Sequence, residues 1–276
     1  MSAGDPLVLV TGASGAVATA LLERTMGQGV RILAVSSQPP QRSWPHVTWF
    51  EQDLGLGAAD VRAGTLVALG SLGHALNQVD QVPGIGRVVA VSTASAAYYD
   101  LMGSHVERAE LRRLASIEQR LKVACDERGI LLTLFRPCLL YHGGEGGTFA
   151  PVAGALAGRR RLWLGQGGLR APVHADDLAR LIVRCLEIGY VSGGTWSLAG
   201  GDTLSVGALM ERVATSHAVA IRRLPAPAML SRRTLRDLDM PADVARDLVG
   251  LYGHDLLPDD ASAREQLGWQ PRGFRP

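Results

Sequence analysis

The octapeptide Thr11-Gly12-Ala13-Ser14-Gly15-Ala16-Val17-Ala18 has the residue types and spacing that hold a pyrophosphate. Gly12 allows a tight turn. Gly15 has no Cβ, so an anion can approach the backbone. Ala18 is small where a helix would pack on a strand. The N–H groups at the helix start, with the positive end of the helix dipole, would face the anion. That chemistry needs a strand before the turn and a helix after it, and the sequence has both. Leu7–Val10 is a short apolar run that reads as a buried strand. Val17, Leu21 and Leu22 mark one helical face, which stops at Gly27 and Gly29. Together they read as a dinucleotide site. The competing reading is a purely structural turn, since small residues also suit strand-to-helix corners.

Strand and helix signals alternate through the first half, which predicts an α/β fold with a Rossmann-like, doubly wound parallel sheet. Val30–Val35, Val47–Phe50, Leu66–Leu69, Arg87–Val91 and Ile130–Phe135 read as further strands, and Leu72–Val82 as a helix. A long helix follows the fifth strand. Ser104 and Glu107 form a capping-box pattern, and Leu111, Leu114, Ile117, Leu121 and Ala124 recur at helical spacing as far as Gly129. The second half changes texture. Pro151–Arg161 predicts a helix, Asp176 is expected to cap a helix through Leu186, and Thr195–Leu198 reads as a strand. Ser205 would cap a helix bearing Leu209, Met210 and Val213, and Val219–Arg222 reads as a strand. Short helices broken by Pro241 and Pro258 follow. The predicted organisation is one unit over 1–276. Its dinucleotide-binding core is 1–141 with about 171–200, and a small substrate lobe is formed by about 142–170 and 201–276.

Composition narrows the function classes. The chain has 276 residues and a formal charge of +2, which offers no footprint for nucleic acid or an acidic membrane surface. No apolar run has the length of a membrane span. Cys125, Cys138 and Cys185 are isolated in apolar segments and read as buried thiols in a reducing compartment, with no metal framework; the expectation is a cytoplasmic protein. Lys122 is the only lysine.

An ordered set of motifs along nearly the whole chain resembles the extended or atypical short-chain dehydrogenase/reductases, the NAD(P)-dependent epimerase/dehydratase family. The carriers are Thr11–Ala18, Asp53-Leu54, Val91-Ser92-Thr93, Leu134-Phe135-Arg136-Pro137 with Tyr141, and Arg170 with Val173-His174-Ala175-Asp176-Asp177-Leu178-Ala179. Leu267-Gly268-Trp269 with Pro271 resembles the family's closing segment. The resemblance implies that Gly12, Ser14, Gly15 and Ala18 cradle a pyrophosphate, that Asp53 bonds the adenine amino group, and that Leu54 packs near the ring. Leu69, Gly70, Arg136 and Pro137 would line the cofactor. Thr93 or Ser95 would polarise a substrate oxygen, and Tyr141 and Arg170 would bind substrate. Arg170 aligns with an arginine that grips a nucleotide-sugar pyrophosphate, a task suited to a fixed fork of donors. The bland alternatives are a turn at Asp53, strand-end capping at Thr93 and Ser95, and a solvated loop arginine at position 170. His174 reads as a packed structural residue. At the second strand's end, Ser36-Ser37 stand where a carboxylate would favour NAD, and Arg42 follows. This reading favours NADP, with NAD as the alternative.

The resemblance fails at the family's Tyr-x-x-x-Lys dyad. Aligning the long helix on its apolar face and Glu118 puts Glu110 and Leu114 at those positions. Three readings stay open. A divergent enzyme would recruit another acid, with Tyr98 and Tyr99 nearest the expected substrate. A different reaction would need no tyrosine. A non-catalytic member would bind NADP(H) as a sensor or assembly protein. The helix over Ser104–Asp126 has faces that suit a helix-pair homodimer or equally a buried monomer helix.

Overall fold

A computed structural model describes residues 7–40, 42–98, 100, 105–143, 147–157, 161–187, 193–220, 222–239, 242, 249–250 and 254–276. In chain order its elements begin β1 (Leu7–Thr11), α1 (Ala16–Arg24), β2 (Arg31–Ser36), β3 (Val47–Glu51), β4 (Thr65–Ala68), α2 (Leu72–Gln81), β5 (Arg87–Val91), α3 (His105–Glu127) and β6 (Leu131–Pro137). Then come β7 (Leu139–Tyr141), α4 (Ala150–Leu156), β8 (Arg161–Trp163), β9 (Leu169–Arg170), β10 (Pro172–His174), α5 (Ala175–Leu186), β11 (Gly194–Leu198) and β12 (Leu204–Ser205). The chain continues with α6 (Val206–Ser216), β13 (Arg222–Leu224), α7 (Ala228–Arg236) and α8 (Ala261–Leu267).

Seven strands form one sheet in the order β11-β6-β5-β4-β1-β2-β3, and every neighbouring pair is parallel. This is a Rossmann-like doubly wound α/β fold. Successive strand side chains point to opposite faces. Val8 and Val10 therefore enter one core with α1 and α5, while Leu9 enters the other with α2 and α3. Chain direction across the sheet reverses between β1 and β4, where a crevice opens at the carboxyl ends of the strands. A third core, built from α4, α6 and α7 around Leu156, Met210 and Leu235, forms the small lobe.

Ser71 and Ser205 cap α2 and α6, their hydroxyls accepting from Gly73 N and Ala208 N. The expected cap at Ser104 lies outside the described residues. Four expectations are corrected. The helix beginning near Pro151 ends at Leu156, because Ala157 turns to an extended conformation and 161–163 instead pair with β13. The strand expected over Val219–Arg222 begins at Arg222, because Ala218 has φ of 55° and Val219 N bonds back to Ala214 O, closing the end of α6. The cap of α5 is His174, whose Nδ1 accepts from Asp176 N at 3.1 Å. Finally, α8 and Trp269 pack with α1 and α5 under the sheet, whereas Phe274 enters the lobe.

The Asp176 carboxylate is instead gripped by two arginines. Arg24 Nε and Nη2 donate to it at 2.7 and 2.8 Å, and Arg272 also donates to it. Buried Asp177 accepts from Arg272 N and Nε at 2.9 and 3.0 Å. Hydrogen bonding by Arg24 holds the Asp176 carboxyl at a pKa of about 2. The unfolded carboxyl titrates near the ordinary 3.8, so the unfolded state takes up the proton first as pH falls. Stability from this contact is complete above that value and is lost as pH drops from about 4 towards about 2. In thermal unfolding followed by circular dichroism, Asp176→Asn is expected to lower Tm at pH 7 by about 2 °C and to flatten its decline across that acid window.

Candidate functional site

Among the described residues, two openings lie along the carboxyl edge of the sheet. The first is a cleft of about 130 Å³ at the switch point, lined by residues from the ends of β1, β2 and β4 and by Gln52, Asp53, Leu54 and His74. Gly12 makes the turn after β1 with φ of +71°, and a Cβ there would meet Gly70 N at 2.6 Å. The glycine is therefore required by the close passage of two backbones. Gly15 is different. It is the N-cap of α1, no side chain caps that end, and a Cβ would meet only Gly12 O at 3.5 Å. The first-turn N–H groups of α1 thus have no side-chain cap, beside Ser14 in the cleft lining, which is the donor arrangement an anion needs.

The cleft gathers Gly12, Ser14, Ser36, Asp53, Leu54 and Gly70 of the expected cofactor residues. Ser36 Oγ donates to Ser14 Oγ at 3.0 Å and accepts from Gln38 N at 3.1 Å. Asp53 Oδ1 accepts from Gly55 N at 2.8 Å, so one carboxylate oxygen closes a turn. Ala18 is buried where α1 meets the sheet, and Leu69 packs against the same core. Arg42 is not in the lining. Its Nη1 lies 2.7 Å from Glu23 Oε1, and its guanidinium sits 5.5 Å from the Trp44 ring centre. That pairing draws it along α1. Arg136 is likewise engaged, with its Nε 3.1 Å from an oxygen of buried Glu118.

The second opening, about 360 Å³, lies where β5 and β6 end, under α3. It brings together Thr93, Ser95, Pro137 and Arg170 of the expected residues, with Ser92, Glu107, Glu110 and Cys138. Thr93 Oγ1 accepts from Ser95 N at 3.3 Å. Tyr98 packs beside Ala94, Cys138 and Leu256 and is not part of the lining; Tyr99 lies outside the described residues. Tyr141 is also apart. It is buried between His174, Phe149 and Phe274, and its hydroxyl accepts from Arg275 N at 3.1 Å. Burial pushes its phenol pKa up.

Arg170 is only 2 % exposed. Its Nη1 donates to the carbonyls of Leu169 and His254 at 2.7 and 2.6 Å, no carboxylate pairs with it among the described residues, and its Nε has no partner. Desolvation pushes its pKa down. Burying a cation this way costs several kcal/mol. A solvated loop arginine, the bland reading, does not describe it. Burial also lowers the pKa of His174, in keeping with the neutral ring its capping bond requires.

Sequence reasoning did not place Glu107, Ser92 or Leu256 in this pocket. The i, i+3, i+4 spacing of Glu107, Glu110 and Leu111 showed a shared helical face, but not which cavity that face meets. Among the described residues no cluster of His, Cys, Asp and Glu is placed to hold a metal, and no helix is long and apolar enough to cross a membrane.

Comparison with solved structures agrees with this geometry. The chain has the fold of the UDP-sugar 4-epimerases. It matches UDP-glucose 4-epimerase from Thermotoga maritima with UDP-glucose at a TM-score of 0.66 and 16 % identity, covering 96 % of this chain and 93 % of that one. For UDP-glucuronic acid 4-epimerase from Bacillus cereus, in complex with UDP-glucuronic acid and NAD, the TM-score is 0.68 at 12 % identity, with 97 % and 95 % covered. For WbmG from Bordetella bronchiseptica, in complex with NAD and UDP, it is 0.66 at 14 % identity, with 97 % and 89 % covered. No family model matches the sequence, and no curated protein matches it.

The two glycines separate cleanly by experiment. Gly12→Ala is expected to lower Tm by about 5 °C, through strain and the backbone clash, whereas Gly15→Ala should leave it unchanged in the same melt.

Proposed function

We propose that this chain is a nicotinamide-dinucleotide-binding oxidoreductase or epimerase-like protein acting on a nucleotide-sugar or similar small polar metabolite. The observation that carries the reading is the uncapped N-terminus of α1 above a hydroxyl-lined cleft, on the same sheet edge as a pocket walled by a buried, unpaired arginine. The solved structures of like fold, with UDP-glucose, UDP-glucuronic acid, UDP and NAD bound, support it.

The residues fit a dinucleotide. Gly12, Ser14, Gly15 and the first turn of α1 would hold the pyrophosphate. Asp53 and Leu54 would meet the adenine, and Gly70 would pass beneath the chain. The bound cofactor would supply a hydride acceptor or donor near the second pocket. Ser36 and Ser37 put hydroxyls, not a carboxylate, at the end of β2. A 2′-phosphate therefore meets no repulsion there, which supports NADP with NAD as the alternative. Because Arg42 is paired with Glu23, any preference for NADP would rest on these hydroxyls. In the second pocket Thr93 and Ser95 would bond a substrate oxygen, and Arg170 would meet the anionic part of the substrate. The exposed face of α3 would serve a homodimer.

A second reading is a cofactor-binding sensor without turnover. Leu114, packed against the core where the resembling family has its lysine, favours it. Steady consumption of NADH or NADPH with an added UDP-sugar would exclude it.

Calorimetric titration with NADH and NADPH is the first test, after any copurified cofactor has been removed. NADPH should bind at least as tightly as NADH. Gly15→Asp should weaken both about tenfold while leaving Tm intact, because an aspartate caps the helix and puts its own charge where the phosphate would sit. Unchanged affinity would overturn the cleft assignment. Separately, Arg170→Met should weaken UDP-glucose binding about tenfold. Undiminished affinity would remove the nucleotide-sugar choice.

A further inference from the structure

Polar groups without partners among the described residues meet in the walls of the second pocket. Arg170 Nε and Ser92 Oγ are buried atoms with nothing to bond. Glu110, from α3, makes no hydrogen bond or ion pair with a described residue. An exposed glutamate alone would be an ordinary surface residue. What sets this one apart is the lining it shares with Arg170, a buried arginine that no carboxylate pairs with among the described residues.

We infer that Glu110 accepts the hydrogen bond of a substrate hydroxyl in this pocket and holds that hydroxyl's proton. The inference rests on the nucleotide-sugar reading above. One turn further along α3, Leu114 is packed against the core, so α3 offers no cation there. A tyrosine, with a reference pKa of about 10, needs a cation beside it to act as a base near neutrality; a glutamate, at about 4.3, needs none. A leucine at 114 is therefore consistent with a glutamate at 110. Oxidising a secondary alcohol removes a hydride from carbon and a proton from oxygen. With a dinucleotide bound, its oxidised nicotinamide would accept the hydride, a Glu110 oxygen would take the proton and the C–O bond would become C=O; reduction would reverse both transfers. Thr93, whose Oγ1 accepts from Ser95 N, keeps its O–H to donate to the same substrate oxygen. Leu111, Leu139 and Leu140 add apolar side chains to the same lining.

The test reads binding, not turnover. Wild-type protein, Glu110→Gln and Glu110→Asp, each with NADH present, are titrated calorimetrically with UDP-glucose. The titrations are repeated with analogues in which one sugar hydroxyl at a time is replaced by fluorine, which cannot donate. For one analogue the wild type should lose about tenfold in affinity, the order of one lost charge-assisted hydrogen bond. In Glu110→Gln that discrimination should shrink to about threefold or less, and Glu110→Asp should recover part of it. NADH affinity should stay within about twofold in all three proteins, which shows that the fold and cleft are intact. If the wild type and Glu110→Gln discriminate equally against every analogue, the role of Glu110 is overturned while the nucleotide-sugar reading stands. If NADH binds but UDP-glucose does not, the nucleotide-sugar reading falls and the proposal with it.

Discussion

The fold turns on a contact between two backbones. At the switch point the turn after β1 and the turn after β4 pass so closely that a Cβ on Gly12 would sit 2.6 Å from Gly70 N. Only a residue able to take a positive φ without a side chain satisfies both demands. With the turn fixed there, α1 starts close against the sheet, and its uncapped N–H groups aim across the ends of β1 and β2. The uncapped helix end is thus a by-product of packing. The same closeness that lets the helix lie on the strands leaves its dipole end exposed to one cleft. Gly15, two positions after Ala13 in the core, is under no such packing demand. Its lack of a side chain is explained better by what must approach it than by what surrounds it.

The lobe is held over the sheet by polar anchors at two heights. At the lower one, Asp176 and Asp177 at the start of α5 bind Arg24 from α1 and Arg272 from the closing segment. That segment runs from Trp269, in the core beneath the sheet, to Phe274, in the core of the lobe. At the upper one, Arg170 and Leu169 bond to 254–256: Arg170 Nη1 donates to His254 O, and Leu256 N donates to Leu169 O. Exposed ion pairs contribute at most about 1 kcal/mol each. The buried Asp177 and Arg170 matter more, because a charge taken from water must keep its partners. Their bonds therefore tie α5 to the closing segment and β9 to His254.

Much of this fold was legible in the sequence because short apolar runs between turn residues admit few other readings. β1, β2, β5 and β6 fall where those runs fall, and Ser205 caps α6 as expected. What was not legible depended on partners distant in the chain. β8 is three residues that pair with β13, some sixty positions on. The α5 cap was assigned to an aspartate because aspartates prefer that position, but two arginines had the stronger claim on its charge. Arg42 follows Pro39-Pro40, and no local rule says which way the chain leaves such a break; the structure turns it to Glu23 and Trp44. Arg170 was identified as a candidate by motif, but its burial is a tertiary fact.

The phase of α3 connects the buried half of the molecule to the pocket. At about 100° per residue, Leu111, Leu114, Glu118, Leu121 and Cys125 fall on one stripe. The structure buries the inner part of that stripe, with Glu118, Leu121 and Cys125 all shielded. A carboxylate in that stripe needs a cation, and Arg136 at the end of β6 provides one. The ion pair locks the rotation of the helix about its axis, since turning α3 would pull Glu118 from Arg136 into apolar surroundings. From that fixed point the outer positions follow. Glu107 lies eleven residues back, about 20° from the phase of Glu118, and faces the pocket. Glu110 lies eight residues back, about 80° away, which puts it at the edge of the stripe. It is therefore exposed and yet part of the lining. A residue with that placement reaches both water and a molecule held in the pocket.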